Sequence, residues 1–419
     1  MERGQADMDA VIDVVRGIVD SVRKDGDQAL SDITARIDGI SLPIDAIEVT
    51  KAEFDQAERQ VAPTLREALE RAHANIVSYH SEQLPEPMWK KEIVPGVVAG
   101  ERVTPIDPVG IYVPRGKGSF PSVMLMLCVP AIIAKVPRIA VCTPPGPDGS
   151  ADAACLVAAQ LCGVGTVYKA GGAQAIAALA YGTETIPRVA KIVGPGNQYV
   201  SAAKRLVQGA TDPGLPAGPS EAIVLADGSA DPQITAREWL VEAEHGPDSA
   251  ALLVTHCVEV ADSVEAIATA LVADLPEPRR TFVEAVLGGH GGIVLTQDLD
   301  ASIEFVNDYA PEHLRVIALE PYEVLSKITD AGEVLLGNYS SIPYGNFAIG
   351  LNAVLPTGGK ARSYSGVGVH TFLKRSSFAY VSAEGAREIG PIAVGLAQWE
   401  GFPAHEEAAR YTLNRAGQD

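Results

Sequence analysis

Aromatic side chains make up only 5% of this 419-residue sequence, so its interior must be filled by smaller groups. The 40 glycines and 29 prolines point to many short turns. The five cysteines, Cys128, Cys142, Cys155, Cys162 and Cys257, make an odd count without a CxxC pair. That pattern excludes a disulfide scaffold and predicts free, buried thiols in a reducing compartment. The longest apolar stretch, residues 122–136, is too short to span a bilayer and contains Pro130. The acidic N-terminus lacks the basic start, apolar core and small-residue cleavage site of a secretory signal. The expectation is a cytoplasmic protein. Basic residues are outnumbered, 33 against 53 acidic, for a formal charge of −20. This argues against nucleic acid or membrane as a partner, while leaving room for a local basic pocket. Hydrolase and nucleotidase signatures are missing too: there is no GxSxG elbow, no Walker loop and no GxGxxG turn.

What is present is 47% hydrophobic and 21% charged, an ordinary soluble composition, long enough for two or three domains. From Met8 to about Ala74, Val11, Ile12, Val15, Ile18, Val19 and Val22 recur at helical spacing. Short β-prone pieces follow, VPGVVAG and GIYVP. Between Arg138 and Leu206 short apolar runs alternate with Ala-rich helical ones, and a second such series runs from EAIVLAD to EVLLGN. The fold class expected is therefore α/β, with two nucleotide-fold-like, doubly wound layers. The residues after SYSGVGV lose the alternation and read as helices in an appended tail.

Ligands in such sheets collect beyond the carboxyl ends of the strands. Gly171 and Gly172, and GPGN at residues 194–197, each sit between a strand and a helix. Both turns are expected to offer free backbone N–H groups to a phosphate, or else to be simple tight turns. PAGPSE at 216–221 joins the two halves, a favourable place for a cleft.

EAEHG places Glu242 and His245 three residues apart at a helix end, either as ligands to one metal or as a solvated last turn. APEHL places Glu312 beside His313, a carboxylate and an imidazole suited to moving two different protons. Arg315, Lys360, Arg362 and Lys374 are candidates for anion binding or for surface solvation, and His73, His80, His256 and His290 read as structural.

Taken together, GIYVP, VGTVYKAGGAQAIAALAYGT, KIVGPGNQYVSAAKR, PAGPSE, EAEHGPDS, YAPEHL and NxxxGLNAVLPT resemble, in order and spacing, the motifs of histidinol dehydrogenases over roughly residues 10–410. The resemblance implies two incomplete Rossmann-like domains with small helical extensions. Their expected limits are an N-terminal extension at 1–20, a first domain at 21–111 and 221–367 carrying metal and catalytic residues, and an NAD-side domain at 112–220. A tail at 368–419 would complete the site of the second subunit of a homodimer. It further implies zinc and NAD as cofactors, and a two-step oxidation of a primary alcohol through an aldehyde to a carboxylate. By position, Tyr112, Gln174 and Asn197 match NAD contacts, and Ser220, His313 and Glu400 match substrate contacts. Glu312 and His313 match the acid/base pair.

The implied metal set is Glu242, His245, Asn346 and, from the other subunit, His405. Here the sequence departs from the family, which has Gln at the first position and Asp at the third. The two changes are reciprocal, so the total ligand charge is kept. Ala353 stands where the family has a histidine that contacts the substrate, and losing a hydrogen bond to a charged group costs about 1.5–3 kcal/mol. The expected activity is therefore that of a paralogue acting on an alcohol other than L-histidinol: an amino alcohol, a polyol or sulfonated diol, or a sugar or nucleotide-sugar C6 hydroxyl. The alternatives are a true L-histidinol dehydrogenase and a non-catalytic ligand-binding paralogue.

Overall fold

The computed structural model describes residues 8–115 and 118–418; the first seven residues of the expected 1–20 extension lie outside them. The chain divides into two compact units, 1–83 with 106–372, and 84–105 with 373–419.

The larger unit opens with α1 (Met8–Asp38), α2 (Lys51–Gln60) and α3 (Pro63–Ser81). Thr50 starts α2 with a reciprocal capping box to Glu53, which satisfies two otherwise unpaired N–H groups. A four-stranded parallel sheet follows, built from β3 (Val109–Tyr112), β4 (Ile139–Thr143), β5 (Val167–Lys169) and β6 (Lys191–Val193) in the order β5-β4-β3-β6. Its helices are α4 (Pro121–Ile133), α5 (Ala153–Leu161), α6 (Gly172–Tyr181) and α7 (Gln198–Leu206). The apolar face of α1, Val11, Val15, Ile18 and Val22, is buried with Ile176 and Leu179 of α6 and Val200 of α7. The region expected at 21–111 with the 221–367 half is thus redistributed. Its helices pack on α4 to α7 of the four-stranded layer, β3 belongs to that sheet, and the strands between them belong to the smaller unit.

The second half of this unit is a five-stranded parallel sheet in the order β11-β10-β7-β8-β9, and every strand is paired in parallel. The strands are β7 (Glu221–Ala226), β8 (Ala250–Thr255), β9 (Gly292–Leu295), β10 (His313–Ile317) and β11 (Glu333–Leu336). They are linked by α8 (Pro232–Leu240), α9 (Val258–Ala273), α10 (Arg279–Gly288), α11 (Leu299–Tyr309) and α12 (Pro321–Lys327), and short α13 (Ile342–Phe347) follows the last strand. Buried aliphatic cores lie on both faces: Val224, Leu253 and Ile317 with α8 and α9 on one, Ile223, Leu314 and Val316 with α11 on the other. Burial on both faces explains why these strands read as continuous apolar runs. The two doubly wound layers expected from the alternation are therefore present.

The smaller unit corrects the reading of an all-helical tail. It holds an antiparallel sheet of β1 (Met88–Val94), β2 (Val97–Pro105) and β12 (Leu373–Val381), followed by α14 (Ala383–Trp399) and α15 (Pro403–Ala416). The side chains of β12 are mostly exposed, so it carries no apolar alternation to betray a strand. All five cysteines are free; four are buried and Cys257 is half-buried. Among the described residues, no helix is long and apolar enough to cross a membrane.

Candidate active site

Parallel register aligns strand starts, and the amino edge of the five-stranded sheet gathers the chemically interesting residues. His313 opens β10 and stands opposite Ala222 of β7 on one side and Glu333 of β11 on the other. Ser220 and Glu221 lead into β7, and His245 precedes β8. The expectation of a site at carboxyl strand ends is thus reversed for this half. The approach to His313 is constrained as well, because Ala310, the C-cap of α11, takes the left-handed conformation at φ 52°. Such a backbone is costly for a residue with a Cβ and recurs at functional turns.

Glu242 and His245 form a separate 3₁₀ turn after α8 rather than its last turn. In a 3₁₀ helix residues i and i+3 eclipse. His245 Nδ1 accordingly lies 2.9 Å from Glu242 Oε2, and the same nitrogen is 2.9 Å from Ser220 Oγ. Asn346, on α13, donates from Nδ2 to Glu242 Oε1 at 3.1 Å. The two positions expected from the resemblance to exchange carboxylate and amide are therefore in direct contact.

Among the described residues no cluster of three or more His, Cys, Asp or Glu forms a metal site. The set of Glu242, His245 and Asn346 escapes that description because one member is an amide. Its chemistry nevertheless suits a divalent cation: a fully buried carboxylate is met by a half-exposed imidazole and by an amide, three side chains that can each offer a ligand atom. Asn346 Oδ1 is buried without a hydrogen bond, and the buried Glu242 Oε2 has only the His245 imidazole beside it, an arrangement that bound positive charge would relieve.

His313 is held from three sides. Its Nδ1 lies 2.6 Å from Glu333 Oε1, while Nε2 is 3.8 Å from Glu312 Oε1 and 4.0 Å from Glu242 Oε1. Glu312 Oε2 in turn accepts the Glu221 backbone N–H at 2.9 Å. Burial lifts the Glu312 carboxyl to about 8, against the pull of the His313 charge. Burial opposes the charge on His313, but Glu242, Glu312 and Glu333 together raise it to about 10. Burial likewise opposes ionisation of Glu242, and His313 and His245 overcome it, holding the carboxyl down at about 2. The surrounding carboxylates thus favour the charged form of the His313 imidazole, while burial favours the neutral form of the Glu312 carboxyl.

Glu333 was not among the residues singled out from the sequence. Its signal was a carboxylate opening the apolar strand EVLLGN, twenty residues after His313, which parallel pairing places directly alongside. Gly345 on α13 fits against it; a Cβ there would lie 3.3 Å from Glu333 Oε1.

The residues matched to NAD contacts sit at the carboxyl edge of the four-stranded sheet. Tyr112 ends β3, and its buried hydroxyl accepts the Gly172 N–H at 3.1 Å. Gln174, also buried, lies in the first turn of α6, with Nε2 at 3.5 Å from Asp38 Oδ2. Asn197 caps α7, accepting from the N–H groups of Tyr199 and Val200. The expectation of free helix-start N–H groups therefore fails at Gly172, Tyr199 and Val200. Gly194 is required by the chain itself, since a Cβ would approach the Tyr112 carbonyl oxygen to 2.0 Å.

A cleft of about 1490 Å³ borders Gly194, Ser201 and Lys204 at this end and Glu333, Asn352 and Lys360 at the other. Ala353 is half-buried on the loop after α13. Glu400 and His405 belong to the smaller unit and are exposed, His405 lying against Phe402 at 5.3 Å between ring centroids. Of the expected anion-binding side chains, Arg315 is completely buried, Arg362 donates to the Asp308 carbonyl, and Lys360 remains exposed beside the cleft. His80, read as structural, is buried with Nδ1 at 2.9 Å from Gln83 Oε1.

A family model described as histidinol dehydrogenase matches residues 1–413. A protein named histidinol dehydrogenase from Synechocystis sp. is 49% identical over 412 residues, covering 98% of this chain and 95% of that relative. One named histidinol dehydrogenase homolog from Cereibacter sphaeroides is 51% identical over 410 residues, covering 97% and 93%. The crystal structure of histidinol dehydrogenase from Elizabethkingia anophelis matches with a TM-score of 0.93 at 36% identity, covering 97% of this chain and 93% of that one.

Proposed function

This chain belongs to the histidinol dehydrogenase family, and from that membership we propose that it is a zinc- and NAD-dependent dehydrogenase converting a primary alcohol, through its aldehyde, to a carboxylate. The observation that carries the reading is the packing of the Glu312–His313–Glu333 network against Glu242 and Asn346.

Glu242, His245 and Asn346 would hold zinc, with His405 of a second copy as a further ligand. When bound, zinc supplies fixed positive charge that acidifies a hydroxyl group and weakens the hold of Glu242 on the His313 proton. Tyr112, Gln174 and Asn197 would hold NAD, which would supply the two-electron acceptor for each oxidation. His313 takes the hydroxyl proton through Nε2 as the carbinol C–H bond breaks, while Glu333 holds Nδ1 and fixes the tautomer. Glu312 then takes a proton from the water that adds to the aldehyde, preparing the second oxidation. Ser220 orients His245 and borders the substrate. Ala353, with a methyl group in place of an imidazole, favours a substrate other than L-histidinol. Glu400, exposed in the smaller unit, is assigned with His405 to the site of the partner in a homodimer.

The full-length protein with zinc and NAD should reduce the cofactor with at least one member of a broad panel of primary alcohols, consuming two NAD per alcohol. No reduction across the panel, L-histidinol included, would sink the proposal. The name of the Synechocystis relative favours a second reading, L-histidinol oxidation itself. Complementation of a histidinol dehydrogenase-deficient auxotroph decides between the two.

A further inference from the structure

Directly beneath the Glu242–His313 layer lies a second charged layer. Residues i and i+2 of a strand share a face, so Arg315 projects from β10 on the same side as His313, while Leu314 and Val316 enter the opposite core. Glu238 precedes Glu242 by four residues, about one helical turn. Arg315 Nε lies 3.4 Å from Glu238 Oε2, and both side chains are buried, at 0% and 7% exposure. Glu238 also accepts the Ser341 hydroxyl and, at 2.8 Å, the Ile342 backbone N–H, which together form the start of α13. Arg315 Nη1 donates to the Leu335 carbonyl on β11 at 3.3 Å, whereas Nε and Nη2 make no hydrogen bond.

A buried ion pair with unsatisfied donors stabilises a fold no better than a well-packed apolar pair. What it does here is tie β10, α8, β11 and α13 together beneath the site. We propose that the Arg315–Glu238 pair is a positioning device for the divalent-cation site, fixing the start of α13 so that Asn346 stays against Glu242. This rests on the zinc reading above, and Arg315, Glu238 and Ser341 are not among the side chains assigned there to hold the ion.

The test titrates metal-free full-length protein with zinc against a chromophoric chelator. Ser341→Ala, which removes one of the two links to α13, should weaken zinc binding about tenfold, and Glu238→Gln should do so to a similar or greater degree. Ser341→Thr, which keeps the hydroxyl, should restore affinity. Turnover by Ser341→Ala should fall at limiting zinc and return at saturating zinc. Wild-type zinc affinity in both Ser341→Ala and Glu238→Gln would overturn the inference, as would a loss that Ser341→Thr does not rescue. If the wild-type chain itself takes up no zinc, the functional reading fails first and the inference with it.

Discussion

The contact between Glu242 and Asn346 makes the reciprocal exchange of carboxylate and amide testable as a thermodynamic cycle. Asn346→Asp alone places a second carboxylate where an amide now donates at 3.1 Å. At an effective dielectric of about 20, two charges that close repel by roughly 5 kcal/mol, enough to force one of them to bind a proton at neutral pH. Metal-free protein should lose stability accordingly, and added zinc should recover it. Glu242→Gln alone removes the buried negative charge facing His313 and His245, and zinc affinity should drop at least about tenfold. The double variant Glu242→Gln/Asn346→Asp restores one carboxylate and one amide in contact. Urea unfolding with and without zinc, together with chelator competition, should give a coupling of about 1–3 kcal/mol between the two positions. Effects of the single changes that simply add, within about 0.5 kcal/mol, would refute the idea that the pair shares one charge for one ion.

Glu333→Gln removes the charge that holds His313 Nδ1 at 2.6 Å. kcat should fall about 10–100-fold with KM little changed, and the acidic limb of the pH–rate profile, set by loss of the proton from His313, should move to lower pH; an unaltered profile would remove Glu333 from the mechanism. Burial raises Glu312 from 4.5 to about 8, so below pH 4.5 it is protonated in folded and unfolded chains alike and costs nothing. As pH climbs through 4.5 to 8 the unfolded chain releases that proton first, and metal-free stability falls by at most about 5 kcal/mol. Urea midpoints at pH 5 and pH 9 should therefore differ less in Glu312→Gln than in the wild type, and parallel declines would contradict the assignment. Ala353→His should raise kcat/KM for L-histidinol by about tenfold or more, the equivalent of about 1.5–3 kcal/mol. No gain would mean that Ala353 does not set the substrate.

The alternation of apolar runs made both parallel sheets legible, because strands buried on two faces carry their signature in every residue. The Glu312–His313 contact was legible for a different reason: the two residues are adjacent in the chain and adjacent in space. Residues joined only by tertiary pairing were harder to see. Glu333 meets His313 through strand register, and Arg315, read as a candidate anion ligand, is buried by Glu238 reaching from α8. Helical periodicity showed that α1 has an apolar face but not which sheet it covers. At the tail, β12 is held by backbone pairing with β2 and leaves most of its side chains in solvent, so hydrophobic patterning was silent there.

Crystals of the full-length protein grown with zinc and measured on both sides of the zinc absorption edge address the ligand set directly. The account predicts one anomalous peak per chain bounded by Glu242, His245 and Asn346, with His405 of a second copy alongside. Diffraction showing no peak there, or a peak held by other side chains, would contradict it.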